Sequence, residues 1–331
     1  MSSYDAVRAL PLTIDEYELE PLEREVARGF TLRRTVVVLR GGGHEGRGED
    51  VDYDPAVQQR FQAREAELPL VGEHTLDSYS LLQAGQTEYR RWALESAALD
   101  LALRQAGLSL GDALGREAQP LRFVVSTRVK NVERWLELYP ELRFKLDPDR
   151  DWTDELVERL AATGRVDTLD FKGVYRGEFG VGPDAALYAQ LAAAFPDAWL
   201  EDPALTAETS AALAAHRHRI TWDAAIHEWS DVEALPFSPR TLNCKPSRFG
   251  SVRRLFEFYD HCEAAGIGLY GGGQFELGPG REQIQLLASL FHADAPNDVA
   301  PSGFNAADPV AGLPSSPLAL DAEPGFYAVA R

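Results

Sequence analysis

Lysines and carboxylates supply the residue types in this sequence that could carry chemistry. Lysine occurs at only four positions, 130, 145, 172 and 245, whereas arginine supplies the ordinary positive charge. Arginine stays protonated, but a lysine can lose its proton when it is buried or crowded by other cations. A chain that keeps lysine for so few positions is therefore using it for acid–base or binding chemistry.

Three of the lysines and three carboxylates stand at the ends of short apolar runs that predict β-strands. They are Lys145, Lys172 and Lys245, with Asp170, Glu201 and Asp223. Charges that merely cap buried strands where the chain meets water would explain one or two of these positions. Acids and lysines at the same end of five consecutive strands indicate a common site.

The elements that must position these residues begin near Leu121. Strands are predicted at 121–126, 142–146, 168–172, 198–201, 219–223, 241–245 and 266–270, with helices at 152–162, 185–195, 207–215 and 252–265 between them. Repeated strand–helix units imply a parallel sheet with right-handed crossovers, and seven or eight of them favour a closed barrel. An open dinucleotide-binding sheet is disfavoured because no Gly-x-Gly-x-x-Gly follows a first strand.

The first part of the chain predicts a smaller, separate unit. Residues 1–30 are acidic and weakly patterned, which predicts a flexible cover. Residues 31–40 are rich in β-branched side chains and predict a strand, which a triglycine turn joins to a returning strand at 46–51. Apolar side chains at helical spacing predict a helix over 88–105. The run 325–330 predicts a strand that returns to this unit.

Composition and charge exclude several function classes. The 331 residues carry a net charge of −19, which argues against nucleic-acid binding and, more weakly, against an anionic membrane surface. No run approaches the ~20 apolar residues of a membrane span. The two cysteines, Cys244 and Cys262, have no ligand-like spacing, and the start resembles no signal peptide. We therefore expect a cytoplasmic protein that binds a small molecule.

The carboxylates predict a metal site at the mouth of the barrel. Asp170, Glu201 and Asp223 would present three anionic oxygens there, and such groups repel one another unless a cation lies among them. Mg²⁺ suits this set best, and no His–Cys pattern suggests zinc. Lys145 lies one strand before the triad and Lys245 one strand after it. A lysine near a cation can act as a general base and remove the weakly acidic proton α to a carboxylate.

At this point the sequence resembles the enolase superfamily, nearest its muconate-lactonising, o-succinylbenzoate-synthase and mandelate-racemase-like members. Residues 33–50, with Gly-x-Gly-Glu, are similar to that family's capping-domain hairpin. Leu200-Glu201-Asp202-Pro203 matches the metal motif of its fourth barrel strand, and the segment from Cys244 to Gly250 matches the lysine motif of its sixth. The segment around Glu276 resembles the motif of the seventh strand.

The resemblance implies a modified (β/α)7β TIM barrel at 119–305 with an α+β N-terminal capping domain at 1–118, which residues 306–331 would complete. It assigns Mg²⁺ binding to Asp170, Glu201 and Asp223, and acid–base roles to Lys145 and Lys245. Loops near 12–30 and 50–53 would help to select a small carboxylate substrate. A homo-oligomer is expected.

Three departures from the family pattern leave the reaction open. The second strand usually ends Lys-x-Lys but ends Lys145-Leu146-Asp147 here. Either Lys145 is the base, with Arg143 in the preceding position, or Asp147 occupies the base position; we favour Lys145. The third strand carries Lys172 two residues after Asp170, on the same predicted face, where asparagine is usual. It could bind substrate or weaken Mg²⁺ binding. Asp223 is followed by alanine where glutamate is common.

The predicted site and the two candidate functions follow from these residues. The candidate substrate-binding residues are Lys172, Glu276, Asp147 and His227. The first function is a Mg²⁺-dependent isomerase or lyase that abstracts an α-proton to form an enediolate and then epimerises, cycloisomerises or eliminates water. The second is a diverged, metal-free barrel that only binds a small molecule.

Overall fold

An antiparallel sheet with a long helix packed against it forms the core of the N-terminal domain. The computed structural model describes residues 2–27, 30–63, 68–174 and 182–330. The strands of this domain are β1 (Pro11–Ile14), β2 (Glu16–Ala27), β3 (Phe30–Gly41), β4 (His44–Asp50) and β5 (Gly72–Thr75), and its helices are α1 (Pro55–Gln62), α2 (Leu76–Leu82), α3 (Glu88–Ala106) and α4 (Leu110–Leu114). The sheet order is β2–β3–β4, and β1 pairs with β5.

The predicted hairpin and helix of this domain are confirmed. β3 and β4 pair antiparallel around a tight turn at Gly42 and Gly43, both of which have positive φ. Gly46 and Gly48 face α3 so closely that a Cβ at either position would collide with the helix backbone. Glycine at these two positions is therefore what lets the sheet and the helix pack directly.

The prediction of a flexible cover over residues 1–30 is wrong for most of that segment. Twelve of its residues form β2, which pairs along its length with β3. Apolar side chains such as Leu19 face inward, and the acids between them face arginines: Glu20 lies 2.8 Å from Arg47, and Glu18 lies 3.0 Å from Arg40. The sequence alone does not show that these acids have arginine partners, so their alternation was interpreted as a flexible cover.

The rest of the described chain alternates between strand and helix, as predicted. The strands are β6 (Val125–Ser126), β7 (Phe144–Leu146), β8 (Val166–Asp170), β9 (Trp199–Glu201), β10 (Ile220–Thr221), β11 (Thr241–Cys244), β12 (Gly268–Gly271), β13 (Leu320–Ala322) and β14 (Ala328–Ala330). The helices are α5 (Val132–Leu138), α6 (Asp154–Ala162), α7 (Ala185–Ala194), α8 (Ala207–Ala212), α9 (Trp229–Glu233), α10 (Val252–Ala265) and α11 (Pro279–Phe291).

The parallel strands close into a barrel, which confirms the predicted fold class. β6 to β10 form one parallel sheet in sequence order, and β11 pairs in parallel with β12. The backbone N–H of Asn243 donates to the carbonyl of Trp222 at 3.0 Å and joins the two groups. Residues 297 and 298 then bridge Phe123 before β6 and Gly272 after β12. These residues take the place of an eighth strand.

One predicted strand ends earlier than expected, and this affects the site. The third barrel strand ends at Asp170 instead of Lys172. Lys172 has φ of +50°, a left-handed conformation that takes it out of the strand. Strand alternation therefore does not place Lys172 beside Asp170. The turn does so instead, by directing the lysine side chain back over the strand end.

Two contacts tie the domains together. The carboxylate of Glu49, at the end of β4, accepts the backbone N–H groups of Leu277, Gly278 and Gly280 at 2.6, 2.9 and 3.1 Å, at the start of α11. These hydrogen bonds at a helix N-terminus offset part of the cost of burying the Glu49 carboxylate.

The C-terminal segment makes the second contact. The backbone N–H of Phe326 donates to Asp100 on α3, and its ring packs edge-on against Trp92. The following strand, β14, pairs with β13 and not with the N-terminal sheet. The domain limits at 118 and 306 stay a proposal, which the contacts of Phe326 support. None of the helices in the described part of the chain has the length and apolar character needed to cross a bilayer.

Candidate active site

Strand alternation directs the charged side chains into the barrel. Phe144 and Leu146 on β7, Leu169 on β8 and Leu200 on β9 are completely buried in the hydrophobic core. Successive strand residues point to opposite faces, so the residues between or beside these apolar positions point to the barrel axis. Those residues are Lys145, Asp170 and Glu201: Asp170 and Glu201 end their strands, and Lys145 is the last residue but one of β7.

Lys145 lies at the centre of the charged cluster. Its Nζ is 2.5 Å from Oε1 of Glu201, 3.2 Å from Oδ2 of Asp170 and 3.9 Å from Oδ2 of Asp298. The side chain is buried, which by itself lowers its pKa, but Asp170 and Glu201 outweigh burial and hold the pKa well above the usual value for lysine. Lys145 is therefore an ammonium in this arrangement.

Glu201 is buried at the bottom of the site and receives three donors. Besides Lys145, the hydroxyl of Tyr270 donates to its Oε2 at 2.6 Å, and Nδ2 of Asn243 donates to its Oε1 at 3.3 Å. Burial, together with Asp170 and Asp223, raises the pKa of Glu201 to about 8 in spite of the neighbouring Lys145. The cations of the cluster therefore do not fully compensate the negative charge of its carboxylates.

Asp223 lies just beyond β10 and is held by cations from the next strand segment. Nζ of Lys245 lies 2.9 Å from its Oδ2, and Arg248 lies 2.8 Å from its Oδ1. These two cations outweigh burial and hold the pKa of Asp223 well below its usual value. Asp202 fixes the backbone here, because its carboxylate accepts the N–H groups of Asp223 and Ala224, both at 2.9 Å.

Lys172 links Asp170, a predicted metal ligand, to Asp147. Its Nζ is 2.6 Å from Oδ2 of Asp147 and 3.2 Å from Oδ2 of Asp170. Burial opposes the effect, but Asp170 and then Asp147 raise the pKa of Lys172, so it stays protonated. The Lys172–Asp147 pair is more exposed than Lys145 and lies above it at the mouth of the barrel.

The donor set fits a divalent cation in chemistry and in charge. Among the described residues, six acids lie with four cations, which is an excess of two negative charges when every group is ionised. The acids are Asp147, Asp170, Glu201, Asp202, Asp223 and Asp298, and the cations are Lys145, Lys172, Lys245 and Arg248. Burial and the nearby Asp223 and Asp170 also raise the pKa of Asp202 to about 7. Carboxylate oxygens in this number are ligands suited to Mg²⁺.

The arrangement of these oxygens is set by the ammonium groups. In the described part of the chain, no three His, Cys, Asp or Glu side chains already form a group that could hold a metal ion. Asp170 is paired with Lys145 and Lys172, Glu201 with Lys145, and Asp223 with Lys245. A metal ion would therefore compete with lysines for the same oxygens.

A cavity of about 550 Å³ opens above the cluster and contains most of the predicted site. Of the residues predicted from the sequence, Lys145, Lys245, Asp170, Lys172 and Asp147 line it. Glu201 and Asp223 are not among the lining residues, because they are buried beneath these side chains.

Two predicted substrate-binding residues lie elsewhere. Glu276 lines a neighbouring cavity; its Oε1 accepts the backbone N–H of Gln274 at 2.7 Å, and its Oε2 lies 3.4 Å from Arg281. His227 is half-exposed, and its Nδ1 lies 2.9 Å from Glu88 at the start of α3. Because His227 points to the N-terminal domain and does not line the cavity, the structure gives no support for contact between this residue and a substrate.

The segment from Arg143 to Asp147 brings two of its side chains to the cavity. The Arg143 side chain contacts Asp167 near the start of β8, and its Nε donates to Oδ1 of Asp167 at 2.7 Å. Only positions 145 and 147 of this segment reach the cavity. Lys145 and Asp147 are therefore the two residues of this segment that face the site, and which of them occupies the base position of the usual Lys-x-Lys pair stays a prediction. Lys172, in the turn that follows the neighbouring strand, brings an ammonium group to Asp147.

Sequence reasoning assigned no role to several residues of the cluster. They are Asp202, Asn243, Arg248, Tyr270 and Asp298. Asn243 and Tyr270 could have been found, since they alternate inward on β11 and β12. Asp298 lies in a segment without a strand pattern, and only closure of the barrel brings it to Lys145.

Comparison with known proteins identifies the class. The chain is 26% identical over 321 residues to N-succinylamino acid racemase of Thermus thermophilus, covering 88% of this chain and 85% of that protein. It is 28% identical over 226 residues to o-succinylbenzoate synthase of Bacillus subtilis, covering 63% and 58%. The structure of a dipeptide epimerase from Methylococcus capsulatus complexed with Mg ion matches with a TM-score of 0.72 at 20% identity, over 96% of this chain and 99% of that one. The chain is a member of the enolase superfamily.

The chain also belongs to the family whose C-terminal and N-terminal domain models it matches. Residues 117–306 match the family described as "Domain of unknown function (DUF8230) C-terminal domain", and residues 5–113 match its N-terminal domain. The relatives by sequence are enzymes, which supports an enzymatic reaction of this kind for the present chain.

Proposed function

We propose that this protein is a Mg²⁺-dependent enzyme that abstracts the α-proton of a small carboxylate substrate to form an enediolate. Epimerisation, cycloisomerisation or elimination of water then completes the reaction. Asp170, Glu201 and Asp223 would hold the metal ion. When bound, Mg²⁺ stabilises the negative charge that the substrate carboxylate gains as the proton leaves.

The observation that carries this proposal is the position of the lysines. Three of the four lysines in the chain line one cavity together with Asp170. Lys145 comes from the second barrel strand and Lys245 from the end of the sixth, so four of eight positions separate them around the closed barrel. Lysine side chains on opposite walls can serve opposite faces of one α-carbon, a neutral amine taking the proton on one face and an ammonium group giving a proton on the other.

The contacts of each lysine suggest its role. Lys245 has one carboxylate partner, Asp223, and is the candidate base that takes the α-proton. Lys145, the base that the sequence favoured, is held protonated by Asp170 and Glu201, so in this proposal it starts the reaction as the acid on the other face. Delivery of a proton from that face inverts the α-carbon, and delivery to a leaving group completes an elimination. The Lys172–Asp147 pair would orient the substrate at the mouth of the cavity.

Exchange of the α-proton in D₂O tests the proposal directly. A set of carboxylates is incubated with the protein and Mg²⁺, and loss of the α-proton signal is followed by NMR. We expect Lys245→Met to slow exchange by about 10²- to 10⁴-fold, the range for loss of a general base. Lys130→Met is the matched control, because Lys130 lies outside the cavity lining, and it should exchange as the wild type does.

The same assay separates the two candidate functions. Binding of a carboxylate without any α-proton exchange would support a metal-free binding protein, which the pairing of every predicted metal ligand with a cation also favours. Unchanged exchange in Lys245→Met would refute the role of that lysine. If exchange occurs, the stereochemistry and the number of double bonds in the product distinguish inversion from elimination.

A further inference from the structure

A second cavity, of about 700 Å³, opens beside the catalytic cavity. Four residues line both cavities: Tyr53, Ser126, Asp147 and Phe275. A molecule held by the lysines of the first cavity can therefore extend past these residues into the second. Only Asp147 among the four belongs to the charged cluster described above.

The walls of the second cavity are largely apolar. Leu32 and Tyr53 come from the N-terminal domain, Trp152 and Leu156 follow β7, and Phe275 follows β12. The rings of Tyr53 and Phe275 stay 42% and 56% exposed, although exposed aromatic surface is costly in water. Both rings therefore present apolar surface at the junction of the two cavities.

The position of Phe275 is imposed by its neighbours. Its φ of +56° is unfavourable for a bulky residue and persists only where the surroundings enforce it. Gln274 and Glu276 on either side are buried, and the backbone N–H of Gln274 donates to the Glu276 carboxylate at 2.7 Å. Strained backbone of this kind is concentrated at ligand sites.

The charges around the second cavity disfavour an anion. Of its described lining residues, Asp147, Asp149 and Asp151 are acidic and Arg128 is basic. Arg150 belongs to the same loop but is not among the lining residues. Asp147 is neutralised by Lys172, whose Nζ lies 2.6 Å from its Oδ2, so the net excess is one negative charge. One such charge at roughly 6 Å, in a dielectric close to that of water, would weaken binding of an anionic group about threefold.

We infer that the second cavity holds the non-reacting half of the substrate, and that this half is apolar and carries no negative charge. The substrate class is thus a monocarboxylate with an aromatic or aliphatic extension, and dicarboxylates are disfavoured. The inference rests on the proposed function, because it takes the reacting carboxylate to lie among the lysines of the first cavity.

Two probes of matched length test the inference by calorimetry on the full chain with Mg²⁺. Phenylpentanoate and adipate share the carboxylate and the chain, and differ in ending with a ring or with a second carboxylate. We expect phenylpentanoate to bind at least tenfold more tightly. Phe275→Ala should weaken phenylpentanoate about fivefold and leave adipate unchanged. The double substitution Asp149→Asn with Asp151→Asn should strengthen adipate several-fold and leave phenylpentanoate unchanged.

Controls are available on the same chain. Leu81→Ala removes a side chain of α2 that is 67% exposed, and Asp197→Asn removes an exposed acid before β9, at the other end of the strands. Neither should change the affinity for either probe. Equal affinity for the two probes, no binding of either, or an equal effect of Phe275→Ala on both would overturn the inference.

The proton-exchange assay keeps this inference distinct from the proposed function. Exchange that depends on Lys245, combined with equal affinity for the two probes, would leave the proposed function intact and remove the apolar subsite. Selective binding of phenylpentanoate without exchange of any carboxylate would retain the subsite and refute the catalytic proposal.

Discussion

Replacement of Lys172 by asparagine should strengthen metal binding. The Lys172 ammonium lies 3.2 Å from Oδ2 of Asp170, a predicted metal ligand, and competes with a cation for that oxygen. At this distance the attraction is about 1.3 kcal/mol in the dielectric of water and about 2.6 kcal/mol at half that dielectric. The lysine side chain is 28% exposed, so screening favours the lower value. A gain of about 1.4 kcal/mol corresponds to about tenfold in affinity.

Titration calorimetry with Mg²⁺, or with Mn²⁺ as a spectroscopic substitute, measures this effect. Lys130→Asn is the matched control, since it makes the same change at a lysine outside the cavity lining. Asp147→Asn should have the opposite effect, because Lys172 loses its 2.6 Å partner and is left to pair with Asp170 alone. Equal or weaker metal binding by Lys172→Asn would refute the competition between Lys172 and the metal ion.

Three further predictions concern buried contacts. Burial, with Glu276, raises the pKa of Glu49 to about 7, above its unfolded value, so its contribution to stability is full below pH ~4.5 and is lost as pH rises through 7. Urea unfolding from pH 5 to 8 should show wild type losing about 2.5 kcal/mol relative to Glu49→Gln, and parallel curves would contradict this. Tyr270→Phe removes a hydrogen-bond donor from buried Glu201 and should lower the free energy of unfolding by ~1–3 kcal/mol in the same urea assay. An unchanged urea midpoint would mean that this hydrogen bond does not stabilise the fold. Gly48→Ala should lower the free energy of unfolding by ~1–3 kcal/mol because the new Cβ pushes β4 away from α3. Gly85→Ala is the control and should change stability little, because Gly85 has open space around it. Equal thermal midpoints for the two variants would refute the close packing.

The sequence by itself determined the fold class and most of the charged cluster. The regular spacing of strands and helices predicts a barrel, and the carboxyl ends of parallel strands meet at one mouth. Asp170, Glu201, Lys145 and Lys245 follow from that rule alone, because each stands at or just beyond the end of an apolar run. The Gly46–Glu49 hairpin motif was also recognisable in the sequence, and the structure explains its glycines by direct packing on α3.

Only the tertiary structure decided which charges pair. The left-handed turn at Lys172 brings it to Asp147, the contact with Asp167 takes Arg143 out of the site, and closure of the barrel brings Asp298 to Lys145. These outcomes depend on side chains from different strands competing for the same partners. Such competition is settled by distance and burial in three dimensions, and neither quantity can be read from local sequence patterns.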